Sequence, residues 1–272
     1  MIEYNHKWDK IMANAQKLII GNWKMNFTVD EASHFLHKLA LVAKPTTNVE
    51  VVLAPALFSI QSLSLQVNRK QFKLAAQNFY HRDFGAFTGE TSIAQLRGFV
   101  DYALVGHSER RYIFDETTDD TRLKVAAALR SGVKPILCIG ETESEKSRGE
   151  TNDVIYDQLL GGLREVTSED IVNVVIAYEP IWAKEAKLPI PDEIANMVKL
   201  IRKHIEHLYG KKAAEAVRVV YGGSIDSSTA EPYLKITGVD GLLVGGASLN
   251  TKHFCEIIDI SNKLTRTTRG GK

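Results

Sequence analysis

Eight short apolar segments recur along the chain and constrain its fold more than any other feature. Several are near-continuous runs of Val, Ile, Leu and Ala, a pattern typical of parallel strands that are buried on both faces. We therefore predict eight parallel β-strands. The segments are Leu18–Trp23, Val49–Ala54, Lys73–Gln77, Tyr102–Gly106, Lys134–Gly140, Val174–Tyr178, Arg218–Gly222 and Gly241–Gly245.

The stretches between these strands have helical periodicity, and Asp192 and Ser227 are predicted to cap two of the helices. Alternating strands and helices are compatible with a closed barrel or an open doubly wound sheet. An open sheet usually has a G-x-G-x-x-G turn after its first strand, and none occurs here. We predict an α/β fold, a (β/α)8 TIM barrel. The clearest helical segments are Glu31–Val42, Thr121–Arg130, Val154–Leu163, Ile194–Leu208 and Phe254–Lys263.

The length of 272 residues suits one barrel, which usually needs about 250. We predict a single domain over residues 18–263. Residues 1–17 are predicted to form an N-terminal extension, helical over Trp8–Ala15 and of unassigned role. Residues 264–272 are predicted to form a flexible C-terminal tail.

Composition excludes several classes of protein. The chain has 34 Lys and Arg against 33 Asp and Glu, so it lacks the basic excess of proteins that bind nucleic acid or membrane surfaces. No stretch approaches the roughly eighteen apolar residues of a transmembrane helix. With only two cysteines, a reduced, cytoplasmic protein is favoured over a disulfide-linked one.

Polar residues follow the strands at the end of a barrel where catalytic groups normally lie. The first strand ends in Asn22-Trp23-Lys24, His107 and Glu109 follow the fourth, and Glu179 follows the sixth. Glu179 is a candidate general base, while His107 could polarise oxygens and Lys24 could balance negative charge. Each alone could be structural: a core histidine, a residue that ends a strand, or a solvated lysine. Their joint placement at one barrel mouth favours a catalytic site.

Glycine pairs follow the seventh and eighth strands, where barrels of this class often bind phosphate. Paired glycines let backbone N–H groups approach a ligand, and helices predicted to begin near Ser227 and Ser248 direct their positive ends the same way. No residues have metal-ligand spacing, so we predict neither a metal nor another cofactor. The predicted phosphate-binding residues are Gly223, Ser224, Gly245 and Gly246.

Seven motifs, in order between residues 18 and 263, resemble those of the triosephosphate isomerase family. The resemblance implies a homodimer, because the segment Gly85–Glu90 is similar to the family's dimer loop. The motifs begin with GNWKMN at 21–26, AAQN at 75–78 with GAFTGE at 85–90, and VGHSERR at 105–111. They continue with IGET at 139–142, AYEPIWA at 177–183, YGGS at 221–224 and LVGGASL at 243–249.

The resemblance also implies a role for each polar residue. Glu179 would move a proton between adjacent carbons of dihydroxyacetone phosphate and glyceraldehyde 3-phosphate through an enediolate, the reaction of glycolysis and gluconeogenesis. Neutral His107 would hydrogen-bond to the carbonyl and hydroxyl oxygens of the substrate, and Lys24 would stabilise the charge spread over these two oxygens. Asn22 would hold the mouth of the barrel, and Glu109 would pair with the catalytic polar cluster.

The lid is where this sequence departs from the family. Pro180 and Trp182 match the family's hinge, but Lys184-Glu185-Ala186 replaces a glycine-containing segment, and the lid is about one residue shorter. This change predicts a slower isomerase that loses more intermediate to side reactions. Three other interpretations stay open: a sibling isomerase acting on another small sugar phosphate such as a four-carbon ketose phosphate, a lid-modified variant with weak activity, and a silent phosphate-binding barrel.

Overall fold

Eight parallel strands close into a barrel in the computed structural model, which describes residues 16–44, 46–183 and 188–269. Each strand is hydrogen-bonded to the next, and the first pairs with the eighth, with Leu18 opposite Gly241. The predicted (β/α)8 barrel is therefore confirmed, and an open sheet is excluded. The strands are β1 Lys17–Asn22, β2 Val49–Ala54, β3 Lys73–Ala76, β4 Tyr102–Val105, β5 Lys134–Ile139, β6 Val175–Tyr178, β7 Arg218–Gly223 and β8 Gly241–Val244.

The strands are apolar on both faces because each face is buried in a different core. Successive side chains of a strand point to opposite faces. In β1, Leu18 and Ile20 belong to the cluster inside the barrel, whereas Ile19 belongs to the larger cluster between strands and helices. All three side chains are fully buried. This double burial accounts for the near-continuous runs of aliphatic residues.

Eleven helices lie within the described residues. Four of them begin with a capping box. In each, the hydroxyl of the Ser or Thr before the helix accepts from the amide of the third helical residue. The side chain of that third residue accepts in turn from the amide of the Ser or Thr. The helices are α1 Val29–Val42, α2 Ile60–Gln66, α3 Ile93–Leu96, α4 Ser108–Ile113, α5 Thr118–Arg130, α6 Glu143–Ser147, α7 Thr151–Leu163, α8 Pro191–Tyr209, α9 Lys211–Ala216, α10 Ala230–Leu234 and α11 Thr251–Arg269.

Both predicted helix caps were wrong. Helix α8 begins at Pro191, whose fixed φ suits a first helical position, and Asp192 lies within the first turn. Helix α10 begins after Thr229, not after Ser227. The carboxylate of Asp226 instead accepts from the amides of Ser228 and Thr229, at 2.8 and 3.0 Å.

Secondary structure reaches slightly beyond the predicted bounds of the domain. Strand β1 begins at Lys17, and α11 continues to Arg269, through most of the segment predicted as a tail. The predicted helix over Trp8–Ala15 lies outside the described residues. Among the residues that the structure describes, no helix is both long and apolar enough to cross a membrane.

Candidate active site

A cavity of about 820 Å³ opens at the carboxyl ends of the strands. Glu109 and Trp182 do not line the cavity. Glu109 pairs with Lys24, which does, and Trp182 is hydrogen-bonded to Glu141. The predicted site residues that line the cavity are Asn22, Lys24, His107, Glu179, Pro180, Gly223, Ser224, Gly245 and Gly246. The fold thus brings together residues that follow β1, β4, β6, β7 and β8.

His107 and Glu179 face each other across this cavity. Atom Nε2 of His107 lies 3.3 Å from Oε1 of Glu179, and their side chains are only 10% and 12% exposed. The amide of Ser108, the first residue of α4, donates to the other carboxylate oxygen of Glu179 at 3.1 Å. Both oxygens of the carboxylate therefore have a defined partner, which fixes its orientation.

The hydrogen bond on the far side of the imidazole assigns its tautomer. The amide of Glu109 donates to Nδ1 of His107 at 3.2 Å, so Nδ1 acts as an acceptor. In a neutral imidazole the proton then lies on Nε2, the nitrogen that faces Glu179. The turn into α4 thus presents an N–H donor to the cavity.

Lys24 lies at the end of β1 in an unusual backbone conformation. Its φ is +53°, in the left-handed region that non-glycine residues seldom occupy. Its ammonium group pairs with Glu109 at 2.6 Å, and its amide donates to Oδ1 of Asn22 at 3.1 Å. The pair with Glu109 is about two-fifths exposed, so it orients the lysine more than it stabilises the fold.

Gln77, which follows β3, holds the same turn from across β2, a contact that sequence analysis missed. Its side-chain amide donates to the carbonyl oxygens of Lys24 and Ala54, each at 2.8 Å. Its position at the end of β3 and its place in the AAQN motif at 75–78 were the signals in the sequence. Such multiple bonds are what keep a strained backbone conformation at a functional site.

A cup formed by Gly223, Ser224, Gly245 and Gly246 occupies the other side of the cavity. A β-carbon added at Gly246 would meet no atom within 4 Å, and one at Gly245 would approach only Cε of Lys24, at 3.7 Å. The helix expected near Ser248 is instead a short 3-10 turn over Gly246–Leu249, and α11 begins at Thr251. Backbone groups, the hydroxyl of Ser224 and the nearby Lys24 are therefore what this cup offers to a ligand.

Trp182, predicted to belong to the hinge of a lid, is hydrogen-bonded to Glu141, a residue outside the predicted site. The indole N–H of Trp182 donates to Glu141 at 2.8 Å, and the Tyr178 hydroxyl lies 3.1 Å from both carboxylate oxygens. Burial raises the pKa of Glu141, although the bonds from Trp182 and Tyr178 act against that rise. The predicted lid residues Lys184, Glu185 and Ala186 lie outside the described residues.

A buried ion cluster supports the turn before His107. Glu116 accepts from the amide of Gly106 at 2.8 Å, and pairs with Arg110 and Lys124 at 2.6 and 2.5 Å. Burial alone would raise the pKa of Glu116, but the bonds to Lys124 and Arg110 prevail and lower it. This cluster was also missed, because its members do not follow strands in a recognisable pattern.

Within the described ranges, no three His, Cys, Asp or Glu side chains are arranged to hold a metal ion. The carboxylate of Glu179 lies beside N–H and ammonium donors in the same cavity, an arrangement suited to proton transfer to and from a ligand. The cup offers room for an anion beside these groups.

Comparison with known proteins agrees with this geometry. The family model for triosephosphate isomerase matches residues 17–261. The triosephosphate isomerase of Clostridium tetani is 40% identical over 244 residues, which cover 89% of this chain and 95% of that protein. That of Lactococcus lactis subsp. cremoris is 42% identical over 249 residues, covering 89% and 97%. This chain belongs to the triosephosphate isomerase family.

Proposed function

We propose that this protein is a triosephosphate isomerase, an aldose–ketose isomerase that interconverts dihydroxyacetone phosphate and glyceraldehyde 3-phosphate through an enediolate. Family membership supports the reaction class. The observation that carries the proposal is the 3.3 Å approach of His107 Nε2 to Glu179 Oε1. Lys24 and the cup line the same cavity, so base, donor, cation and anion site are within reach of one small substrate.

In this proposal Glu179 takes a proton from the carbon beside the substrate carbonyl. The electron pair of that C–H bond forms the carbon–carbon double bond of the enediolate, and negative charge develops on the carbonyl oxygen. Glu179 then returns the proton to the neighbouring carbon. The proton of the original hydroxyl group passes to the former carbonyl oxygen through Nε2 of His107, so that a carbonyl forms at the first carbon and a hydroxyl at the second with no net gain or loss of protons. Triosephosphate isomerase is itself the standard case of a glutamate base beside an uncharged histidine, so these two roles are those of the family.

The other polar residues stabilise the charge that develops. The Nε2–H of His107 donates to the substrate oxygens, and the ammonium group of Lys24 offsets their negative charge. Glu109 orients that ammonium group through the 2.6 Å pair, and Asn22 holds the amide of Lys24. The contacts that orient Lys24 exist before substrate binds, so this residue needs little reorganisation during the reaction.

The cup is the proposed site of the substrate phosphate. Backbone N–H groups around Ser224, Gly245 and Gly246 are suited to an anion because no side chain keeps it at a distance. Pro180 and Trp182 are the proposed hinge of the lid. We propose that the changed residues 184–186 lower the rate and widen the range of substrates. A four-carbon ketose phosphate is therefore the competing substrate to test.

We further propose a homodimer and a cytoplasmic location. Met25 and Phe84 are 96% and 82% exposed, and a second copy that covered the loop around Gly85–Glu90 would remove such apolar surface from water. Cys138 and Cys255 are both free thiols, as expected in a reducing compartment. Light scattering should give about twice the chain mass of 30.3 kDa, and a monomer at micromolar concentration would contradict the dimer.

The deciding experiment is steady-state isomerisation of glyceraldehyde 3-phosphate by the purified protein, with erythrulose phosphate assayed in parallel. We expect kcat/KM for the triose phosphate to be the higher of the two. A clear preference for the four-carbon substrate would favour the sibling isomerase. Failure to turn over either substrate would contradict the proposed function, provided that the protein is folded by circular dichroism.

A further inference from the structure

The two halves of the cup belong to different segments of the chain. Gly223 ends β7 and Ser224 begins the loop that leads to α10, whereas Gly245 and Gly246 follow β8 and precede α11. A single phosphate that bonds to both halves requires a fixed distance between them. The contacts that connect these segments beyond the strands therefore bear on phosphate affinity.

A side-chain hydrogen bond joins the two segments at the rim of the cavity. Oγ of Ser227, in the loop after β7, lies 3.1 Å from Nδ1 of His253, in the first turn of α11. His253 also lines the cavity that contains the cup. Its imidazole therefore reaches from the segment after β8 to the segment after β7, beside the space proposed for phosphate.

Each end of this bond lies in a locally ordered turn. Asp226 accepts from the amides of Ser228 and Thr229, which closes the loop around Ser227. Asn250 accepts from the amide of His253 at 3.2 Å, which fixes the first turn of α11. Because both turns are held locally, the bond between Ser227 and His253 fixes the position of one turn relative to the other. It thereby also fixes the spacing between the two halves of the cup.

We propose that His253 is a positioning residue of the substrate phosphate site, and that it acts through its hydrogen bond to Ser227. This inference rests on the proposed function, because it takes the cup as the site of the substrate phosphate. His253 holds the Ser224 side of the cup at a distance from Gly245 and Gly246 that one phosphate group spans. It takes no part in proton transfer at Glu179.

The role predicts a specific kinetic pattern. Loss of one intramolecular hydrogen bond should raise KM for the triose phosphate, and Kd for inorganic phosphate, about three- to tenfold. The value of kcat should stay within about twofold, because the contacts between His107, Glu179 and Ser108 are not altered. A merely structural defect would lower the melting temperature and affect kcat as well.

The test compares four variants with the wild type. His253→Leu and Ser227→Ala each remove the bond, and their combination shows whether the two act as one unit. His253→Asn is the conservative variant, since the Asn amide group reaches nearly the position of Nδ1. His37→Leu, at an exposed position on α1, is the matched control for replacing a histidine with leucine.

Kinetics, calorimetric titration with inorganic phosphate and thermal melts should be measured for each variant. We expect His253→Leu, Ser227→Ala and the double variant to share one increase in Kd and KM, whereas His253→Asn and the His37 control resemble the wild type. An unchanged phosphate Kd in Ser227→Ala, or effects that add in the double variant, would overturn the inference. If the wild type fails to isomerise triose phosphate, the proposed function fails, but the phosphate titrations still decide the role of His253.

Discussion

A β-carbon added at Gly222 would lie 3.0 Å from Cγ of Glu179 and 3.4 Å from its Oε1. Glycine at this position of β7 therefore leaves the space in which the carboxylate is held. We predict that Gly222→Ala displaces the carboxylate and lowers kcat at least about tenfold, since small misplacements of a catalytic group are costly. Steady-state kinetics measure the effect, and an unchanged kcat would show that Glu179 accommodates the methyl group.

Gly246→Ala should affect substrate binding and not turnover. A β-carbon at Gly246 meets no atom within 4 Å, so the protein has room for it, but the methyl group would enter the region proposed for phosphate. We expect KM and the phosphate Kd to rise with little change in melting temperature. The cup would not be the phosphate site if Gly246→Ala left both constants as they are in the wild type.

Glu179→Gln should abolish base function while keeping the shape of the side chain. We expect kcat to fall at least about a hundredfold, the low end of general-base contributions. Binding of a substrate analogue should persist, because the cup is intact. Near wild-type turnover by this variant would contradict the assigned mechanism.

Gln77→Ala should release the strained turn at Lys24. Two carbonyl oxygens would lose a donor, at an expected cost of about 1–3 kcal/mol in the free energy of unfolding. Activity should also fall, because Lys24 no longer has a fixed position. Gln71→Ala is the matched control, since Gln71 donates to the carbonyl oxygens of Ala40 and Ala43. That control should lose stability with unchanged kinetics, and equal kinetic defects in both variants would refute a positioning role for Gln77.

The cluster around Glu116 should make stability depend on acid pH. The pKa of Glu116 is lowered in the folded protein, chiefly because the bonds to Lys124 and Arg110 outweigh the opposing effect of burial. Ionised Glu116 thus contributes stability above its unfolded pKa of about 4.3, and this contribution is lost as pH falls through the lower folded value. Glu116→Gln should cost on the order of 3 kcal/mol near neutral pH.

Thermal melts of the wild type and Glu116→Gln across pH provide the measurement. We expect the difference in melting temperature to be constant from pH 7 down to about 5 and to shrink below about pH 4. A difference that persists unchanged in acid would mean that the glutamine disturbs packing and not charge.

Much of the barrel was predictable because strand burial leaves a continuous apolar signal. Strand β2 was predicted with its observed bounds, and the other strands were predicted to within one residue at each end. Gln77 and Gly106 were assigned to strands but lie just beyond them, because the apolar pattern does not show at which residue a strand ends and the following loop begins. Helices began earlier than predicted, as α5 does at Thr118, because polar first turns lack apolar periodicity.

The site was predictable only in part, for a related physical reason. His107 and Glu179 could be found because each follows an apolar run directly. The bonds from Gln77 to Lys24 and from Ser227 to His253 join residues on separate elements, and no local pattern encodes them. Such contacts depend on the register of the barrel and on side-chain direction, which become available only once the chain is folded.

The pairing of β1 with β8 also has a consequence for biogenesis. Lys24 is synthesised long before Gly245, although a β-carbon added at Gly245 would lie only 3.7 Å from Cε of Lys24. The two become neighbours only when the last strand joins the first, a contact between distant parts of the chain that forms slowly. A nascent chain that lacks β8 and the residues after it would therefore lack Gly245 and Gly246, half of the proposed phosphate cup. In refolding experiments, we expect turnover to recover later than the helical signal in circular dichroism, because turnover requires that β8 has paired with β1 and closed the barrel.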